Sequence, residues 1–198
     1  MSAYSFARPL AGIAAAAMLL AFAPVPANAP LAFGTGSRVR VAGTSNVRTW
    51  RCESARVQGS IETSPAGVPA VSEVARAVRT AEVVIPVASL DCANGTMNNH
   101  LRRAMKADQF SDIRFRVPAG GLTVGGEGHA RLAGTLSIAG QEKPASIEAT
   151  VAQAEGGLRV TGTYVLRMTD FGVRPPTVMM GAFRVADPVT VTFDVVVK

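Results

Sequence analysis

Apolar and polar residues alternate along most of the chain after residue 38. The clearest run is at the C-terminal end, where Val189, Val191 and Phe193 alternate with Thr190 and Thr192. A period of two predicts a half-buried strand, with one face towards a core and the other towards solvent. The same alternation predicts strands around residues 39–41, 57–61, 81–87, 113–117, 130–138, 147–151 and 158–168.

Glycine-rich turns at residues 120–128, 139–141 and 155–157 separate these runs. Gaps of a few residues favour sequential antiparallel neighbours, and eight or nine such strands need a sandwich or a closed barrel to cover their edges. Residues 98–106 differ, because Asn98 could cap a helix with Leu101 and Met105 on one face. The pattern therefore predicts an all-β antiparallel barrel with one short amphipathic helix.

Alternation alone leaves open which face of a barrel is wet. An outer-membrane barrel carries aromatic girdles at both interfaces, whereas residues 30–198 contain only Trp50 and Tyr164 besides phenylalanine. The chain also ends on Val-Val-Lys rather than on an aromatic residue. These features favour a soluble barrel with its apolar face inside.

Residues 1–29 have the composition of a secretory signal peptide. Arg8 is followed by an uncharged run at residues 9–23 and then by small residues and prolines. The alternative is a membrane-anchoring helix, but spanning takes about 20 apolar residues, and Pro24 and Pro26 end this run early. We expect cleavage before Pro30 or before Asn28, and a periplasmic or secreted product. There is no arginine pair for twin-arginine export and no nearby cysteine for a lipid anchor.

The chain has 20 basic and 14 acidic residues, a net charge of +6, and loss of Arg8 would leave +5. No basic cluster is interleaved with aromatic residues, so the charge does not indicate nucleic-acid binding. Most arginines alternate with apolar positions, which indicates a solvated outer face. Contact with an anionic membrane surface stays open as an alternative.

Cys52 and Cys92 are the only cysteines. In an oxidising compartment, an even pair favours a disulfide. Two buried free thiols or a metal site are the alternatives, although neither His100 nor His129 stands at a ligand spacing from a cysteine. We predict a Cys52–Cys92 disulfide and no metal.

Two stretches of the chain resemble a known family in their order and spacing. The first is residues 83–92, continuing through residues 96–107 to residues 113–115. The second is MTDFGVRPP at residues 168–176, followed by Met180-Gly181 and by DPVTV at residues 187–191. Together with GTLSIAG at residues 134–140, they resemble the YceI-like family of exported lipid-binding proteins over residues 38–198.

This resemblance implies an eight-stranded, lipocalin-like antiparallel barrel that holds a long polyisoprenoid-type lipid in its apolar interior. Many members carry a histidine-containing stretch after the first strand, whereas this chain reads GTSNVRTW at residues 43–50. The difference indicates a divergent branch of the family.

An eight-stranded barrel is wide enough either to be filled by its own side chains or to hold one slim ligand. Small residues recur at inward positions, and we interpret them as leaving volume for an apolar ligand; they are Gly59, Ala130, Gly134, Ala149 and Gly162. The alternative is a solid barrel filled by Phe115, Tyr164 and Phe193, which the residues alone leave open and the resemblance disfavours. The predicted pocket lining is Trp50, Ile85, Phe115, Leu136, Gly162, Tyr164, Leu166 and Phe193. Arg102 is a candidate contact for a polar lipid head group.

The sequence offers no catalytic centre. Asp170 and Asp187 could be read as paired carboxylates, but each lies in a turn, and turn formation explains both. His100 has no evident nucleophile partner, and no G-x-S-x-G or phosphate loop is present. We therefore predict a non-enzymatic protein without a cofactor. The alternative function is a protein-interaction module of the envelope or of a stress response, with residues 177–180 as the candidate contact loop.

Overall fold

The structure is a computed structural model that describes residues 30–178 and 182–198. The predicted signal peptide, residues 1–29, lies outside the described residues. Eleven strands are present in the described part of the chain: Arg38–Ser45 (β1), Thr49–Ser54 (β2), Gln58–Thr63 (β3), Val78–Pro86 (β4), Asp112–Val117 (β5), Leu122–Val124 (β6), His129–Ile138 (β7), Gln141–Ala154 (β8), Gly157–Arg167 (β9), Thr177–Val178 (β10) and Phe183–Val197 (β11). The α-helices are Val74–Ala77 (α1) and Gly95–Ala104 (α2), and short 3-10 turns lie at Val71–Glu73, Val87–Ser89, Gly126–Gly128 and Met168–Phe171.

The strands form one curled antiparallel sheet in the order β2-β1-β11-β9-β8-β7-β5-β4-β3, with β6 on β7 and β10 on β11. The two ends of this order, β2 and β3, are separated by only residues 55–57. They therefore act as one bent stretch that pairs with β1 through its first half and with β4 through its second half. The all-β barrel prediction is confirmed, and the main path has nine strands rather than eight because this stretch is divided.

The chain connections sort into two ends of the barrel. The described connections at one end, which we call the mouth, are residues 46–48, 87–111, 139–140, 168–176 and 182. The connections at the opposite end of the barrel, which we call the closed end, are residues 64–77, 118–128 and 155–156. At the closed end Leu31, Val74 and Leu158 pack in one buried cluster.

The segment before β1 closes this end further. The amide of Leu31 donates to the carbonyl of Ile61 on β3 (2.8 Å), and the amide of Ala32 donates to the carbonyl of Lys198 beyond β11 (2.9 Å). Leu31 is buried. The segment thus links β3 and β11, which are not neighbours in the sheet, and it covers the core at the closed end.

The arginines of the outer wall face acidic side chains on adjacent strands, in line with the predicted solvated outer face. Arg159 on β9 pairs with Asp194 on β11, and Arg131 on β7 pairs with Glu148 on β8 (2.7 Å). The Arg159 guanidinium donates to the Asp194 carboxylate, which lowers the pKa of Asp194. Much of the basic charge predicted from composition is therefore balanced on the wall itself.

Helix α2 begins earlier than the sequence indicated. Asn94, and not Asn98, is the N-cap residue, and its side chain accepts a hydrogen bond from the amide of Met97 (2.9 Å). The Asn98 side chain accepts from the amide of Cys92 (2.8 Å) and donates to the carboxylate of Asp91 (2.9 Å). Asn98 therefore fixes the chain that leads into the helix instead of starting it.

Candidate functional site

The barrel interior contains a cavity of about 470 Å³ with a lining of aliphatic and aromatic side chains. It is lined by Val117 and Val197 towards the closed end and by Trp50 and Phe183 at the mouth. Inward side chains from most strands of the sheet contribute to it. The described interior is therefore hollow between the packed closed end and the mouth.

Seven of the eight predicted lining residues border this cavity: Trp50, Ile85, Phe115, Leu136, Tyr164, Leu166 and Phe193. Their strands present them inward because alternate side chains of a strand point to the same face. Contact with a ligand stays a prediction for each of them. The eighth, Gly162, does not border the cavity.

Gly162 is covered by an aromatic ring of the adjacent strand. It pairs directly with Phe193 across β9 and β11, and a Cβ on Gly162 would come within 3.0 Å of the Phe193 Cε1. Gly134 lies in the same way under Phe115, at 3.1 Å. The volume that these glycines leave is occupied by the rings, and so the expectation that they leave space for a ligand was wrong.

The two predicted small alanines have a different place. Ala130 and Ala149 pair with each other across β7 and β8 and are buried in the packed cluster of the closed end. Neither borders the cavity. The cavity is bounded instead by inward valines such as Val83 and Val191, whose short side chains do not meet in the middle of the barrel.

Helix α2 covers the mouth with its apolar face. Met97, Leu101, Ala104 and Met105 stand at helical spacings that share one face, and all four border the cavity. The amphipathic pattern predicted from Leu101 and Met105 is thus explained by the cavity beneath the helix. The sequence contained this signal, since an apolar helix face must be covered by something.

The polar part of the lining also lies at the mouth. Arg48 comes from the β1–β2 connection, Asn94 and Thr96 come from the start of α2, and His100 comes from its middle. Arg48 is exposed and makes no salt bridge to another described residue. None of these four residues lies on a predicted strand, and so the alternation of apolar positions did not mark them as lining.

Arg102, the predicted head-group contact, does not border the cavity. It is exposed on α2, and its guanidinium donates to the side chain of Asn99 (3.3 Å). Successive residues of an α-helix are rotated by about 100°, and so Arg102 does not lie on the face that holds Leu101. In this arrangement Arg48 is the cation that faces the cavity mouth.

A disulfide joins Cys52 on β2 to Cys92, just before α2, with the two Cα atoms 3.9 Å apart. This confirms the predicted pairing. Glu53 and Asp91 bridge the same two segments through reciprocal backbone hydrogen bonds of 2.8 and 2.9 Å. Together these links attach the chain that leads into the mouth helix to the barrel wall.

The wall is incomplete between β8 and β9. Their pairing runs from Ala154 and Gly157 to Ala149 and Gly162 and stops there. Towards the mouth, residues 141–148 of β8 pair with β7, residues 163–167 of β9 pair with β11, and the described backbone shows no pairing between them. We call this interval the seam.

The 3-10 turn Met168–Phe171 packs at the seam. Its residue Phe171 is buried and, with Tyr164 and Leu166, borders both the interior cavity and a hollow of about 350 Å³ at the seam. Lys143 and Val165 border the hollow only. A single layer of side chains therefore separates the interior from the outside along this interval.

Asp187 holds the turn at the seam in position. Its carboxylate accepts hydrogen bonds from the hydroxyl (2.7 Å) and the amide (2.9 Å) of Thr169, and Arg167 lies 3.3 Å away. The Thr169 hydroxyl bond is the main cause that lowers the pKa of Asp187, with the amide bond and the Arg167 charge acting in the same direction. The sequence indicated a turn at Asp187, but Asp187 itself lies within β11; its carboxylate instead stabilises the separate turn that contains Thr169.

The described residues contain no group of three or more His, Cys, Asp and Glu side chains that could hold a metal ion. Among the same residues, no helix is long and apolar enough to cross a membrane.

The fold and cavity define a curled β-barrel protein with an apolar interior and a helix across its mouth. The chain belongs to the YceI-like family: the model of the YceI-like domain matches residues 33–197. No curated protein sequence matches the chain.

Solved structures share the fold at low sequence identity. BcnA of Burkholderia cenocepacia has 20% identity and a TM-score of 0.65, with 81% of this chain and 94% of that chain covered. A polyisoprenoid binding domain from Saccharophagus degradans, implicated in plant cell wall breakdown, has 16% identity and a TM-score of 0.65 over 85% and 98% of the two chains. The YceI protein of Campylobacter jejuni has 21% identity and a TM-score of 0.53 over 71% and 80%.

Proposed function

We propose that this protein is exported and carries a long apolar lipid of the polyisoprenoid type in its barrel. The observation that carries the proposal is the cavity of about 470 Å³, which falls in the size range of small-molecule sites and has an almost entirely apolar lining. A ligand buried there would gain free energy from its apolar surface, but would find few hydrogen-bond partners along its length. Membership of the YceI-like family and the similarity to a polyisoprenoid binding domain favour this ligand class.

The mouth determines how such a lipid would be oriented. A polar head would lie beside Arg48, Asn94, Thr96 and His100, and the tail would extend between the valines and aromatic rings towards Val197. Arg48 suits an anionic head group, because its guanidinium is exposed at the mouth and has no acidic partner among the described residues. We assign the head-group contact to Arg48 in place of Arg102.

The alternative function, a protein-interaction module with a solid barrel, is less favoured because the described interior is hollow. Part of its candidate contact loop, residues 179–181, lies outside the described residues. A non-enzymatic role without a cofactor remains our prediction.

The test is mass spectrometry of organic extracts from protein purified from its own host, compared between wild type and two tryptophan variants. Val191 borders the cavity, and Val191→Trp would fill it. Val165 is 60% exposed on the outside of the next strand, and Val165→Trp is the matched control. We expect lipid from wild type and from the control, and little from Val191→Trp.

A hollow barrel also predicts that Val191→Trp keeps most of its stability, since a cavity accepts volume that a packed core would resist at about 1–3 kcal/mol. Absence of any extracted lipid from wild-type protein would contradict the proposal. So would equal lipid content in both variants.

Export is tested separately by intact-mass measurement. We expect a mature chain that begins at Asn28 or Pro30, in the periplasm or the medium. An uncut chain retained in membranes would contradict this part of the proposal and leave the cavity argument in place.

A further inference from the structure

The two ends of the barrel differ in charge. In the described connections at the mouth there are five cations, Arg48, Arg102, Arg103, Lys106 and Arg174, and three acids, Asp91, Asp108 and Asp170. In the connections at the closed end there is one cation, Arg76, and three acids, Glu73, Glu127 and Glu155. The net charge of these connections therefore changes sign from one end of the barrel to the other.

The five mouth cations are also available for a partner. All five side chains are exposed, and none makes a salt bridge to another described residue. The wall arginines differ, because residues such as Arg131 and Arg159 are paired with acids on neighbouring strands. Arg76 at the closed end lies 3.7 Å from Glu73.

An exposed apolar residue lies at the same end of the barrel as these cations. Val47 lies beside Arg48 in the β1–β2 connection and is 67% exposed, the largest value among the exposed large apolar side chains of the described chain. Cations on the same face as an exposed apolar residue are typical of surfaces that bind at a membrane interface, where the charges attract anionic head groups and the apolar residue enters the boundary layer.

We propose that the mouth end docks on an anionic membrane surface, with Val47 and the mouth cations towards the lipid. The charge on the opposite end disfavours the inverted orientation, because anionic head groups would repel its three acids. The proposal is independent of what the cavity holds, since four of the five cations do not border the cavity.

The first experiment measures binding of the oxidised mature chain, which begins at Asn28 or Pro30, to vesicles by sedimentation. One set of vesicles contains equal parts of phosphatidylglycerol and phosphatidylcholine, and the other contains phosphatidylcholine alone. The test variant is Arg103→Glu with Arg174→Glu, from two separate connections at the mouth. The matched control is Arg76→Glu with Arg79→Glu, exposed residues near the closed end that give the same change in net charge.

We expect wild type to bind the anionic vesicles and not the neutral ones, with the affinity reduced by added salt. Each cation near such a surface changes the affinity by about fivefold, so the test variant should lose more than tenfold and the control much less. Equal losses in both variants, or no binding by wild type, would overturn the proposal. Retention on a soluble polyanion with no binding to either vesicle would overturn it as well.

The second experiment reports orientation without changing a charge. The native cysteines are bonded to each other, so Val47→Cys or Val68→Cys can each be labelled with one environment-sensitive dye. Val68 is the matched position, because it is 37% exposed in a connection of the closed end. We expect a blue shift on anionic vesicles for the dye at 47 only. Equal shifts at both positions, or a shift at 68 alone, would overturn the docking orientation.

Discussion

Phe193 on β11 places its ring over Gly162 on β9, and the two residues are direct partners in the sheet. A Cβ at Gly162 would also come within 2.6 Å of the carbonyl oxygen of Glu148 on β8. The glycine is therefore enclosed by a ring on one side and by backbone on the other. The ring could turn away from an added side chain, but the carbonyl oxygen could not.

From this arrangement we predict that Gly162→Leu destabilises the fold. Overpacking of this kind costs about 1–3 kcal/mol, to be measured as the free energy of unfolding in urea. Thr163→Leu is the control, because Thr163 is exposed on the same strand. A stability equal to wild type, with the fold retained, would show that the interior has room at this position.

Reduction of the disulfide should lower stability by about 2–4 kcal/mol, because Cys52 and Cys92 close a loop of 40 residues in sequence separation. The measurement is urea unfolding of wild type with and without a phosphine reductant. The double variant Cys52→Ala with Cys92→Ala is the control and should not respond to the reductant. Non-reducing peptide mapping that finds two free thiols in exported protein would contradict the pairing.

The hydrogen bonds of Asp187 predict a dependence of stability on pH. Bonds from Thr169 lower the pKa of Asp187 below its usual value of 3.8 in the folded protein. The stabilising contribution is therefore complete above that value and is lost as the pH falls through the lower folded pKa. Wild type should exceed Asp187→Asn in stability at neutral pH, and the difference should shrink in acid below about pH 4.

The control for this prediction is Asp170→Asn, from an exposed carboxylate in the same turn that takes no part in those bonds. Urea midpoints measured along the pH series distinguish the two. If the difference in urea midpoint between wild type and Asp187→Asn stays constant into strong acid, the substitution acts through packing and not through the charge.

The seam should appear in hydrogen exchange. Some backbone amides of residues 141–148 and 163–167 face each other across the seam and have no strand partner there. We expect these amides to exchange faster than those in the paired part of β8 and β9, around the pair Val151 and Val160. Uniform protection from hydrogen exchange along β8 and β9 would contradict this prediction, because it would mean that the two strands pair over their full length in solution.

The strand pattern could be predicted from the sequence because one face of nearly every strand packs inside a barrel. The alternation around Val191 and Phe193 determined both the class of fold and the inward positions. Strand β2 was not defined by the same rule, because its inward residues include the buried polar Ser54, whose hydroxyl bonds to Ser89 at 2.7 Å. A polar residue at an inward position hides the period from a hydrophobicity pattern.

The site was harder to predict than the fold, and for two physical reasons. Side-chain size at one position does not report volume when a neighbour fills it, as Phe193 does over Gly162. Arg48 lies in a connection that follows no period, and His100 is a polar residue on the cavity-facing side of α2, which a hydrophobicity pattern does not mark. What the sequence did contain was the apolar face of α2, which indicated that the helix covers something.

The pairing of glycines with rings has a consequence for how this barrel can diverge. Each glycine leaves a volume that is filled by an aromatic ring of the neighbouring strand: Phe193 lies beside Gly162, and Phe115 lies beside Gly134. Backbone also lies beside each glycine, Glu148 beside Gly162 and Arg116 beside Gly134, so a larger residue is excluded there even when the ring is smaller. Substitutions should therefore fall on the aromatic partners while the glycines are kept. Through such exchanges a lineage could change the volume and shape of its cavity without altering the hydrogen bonds of the sheet.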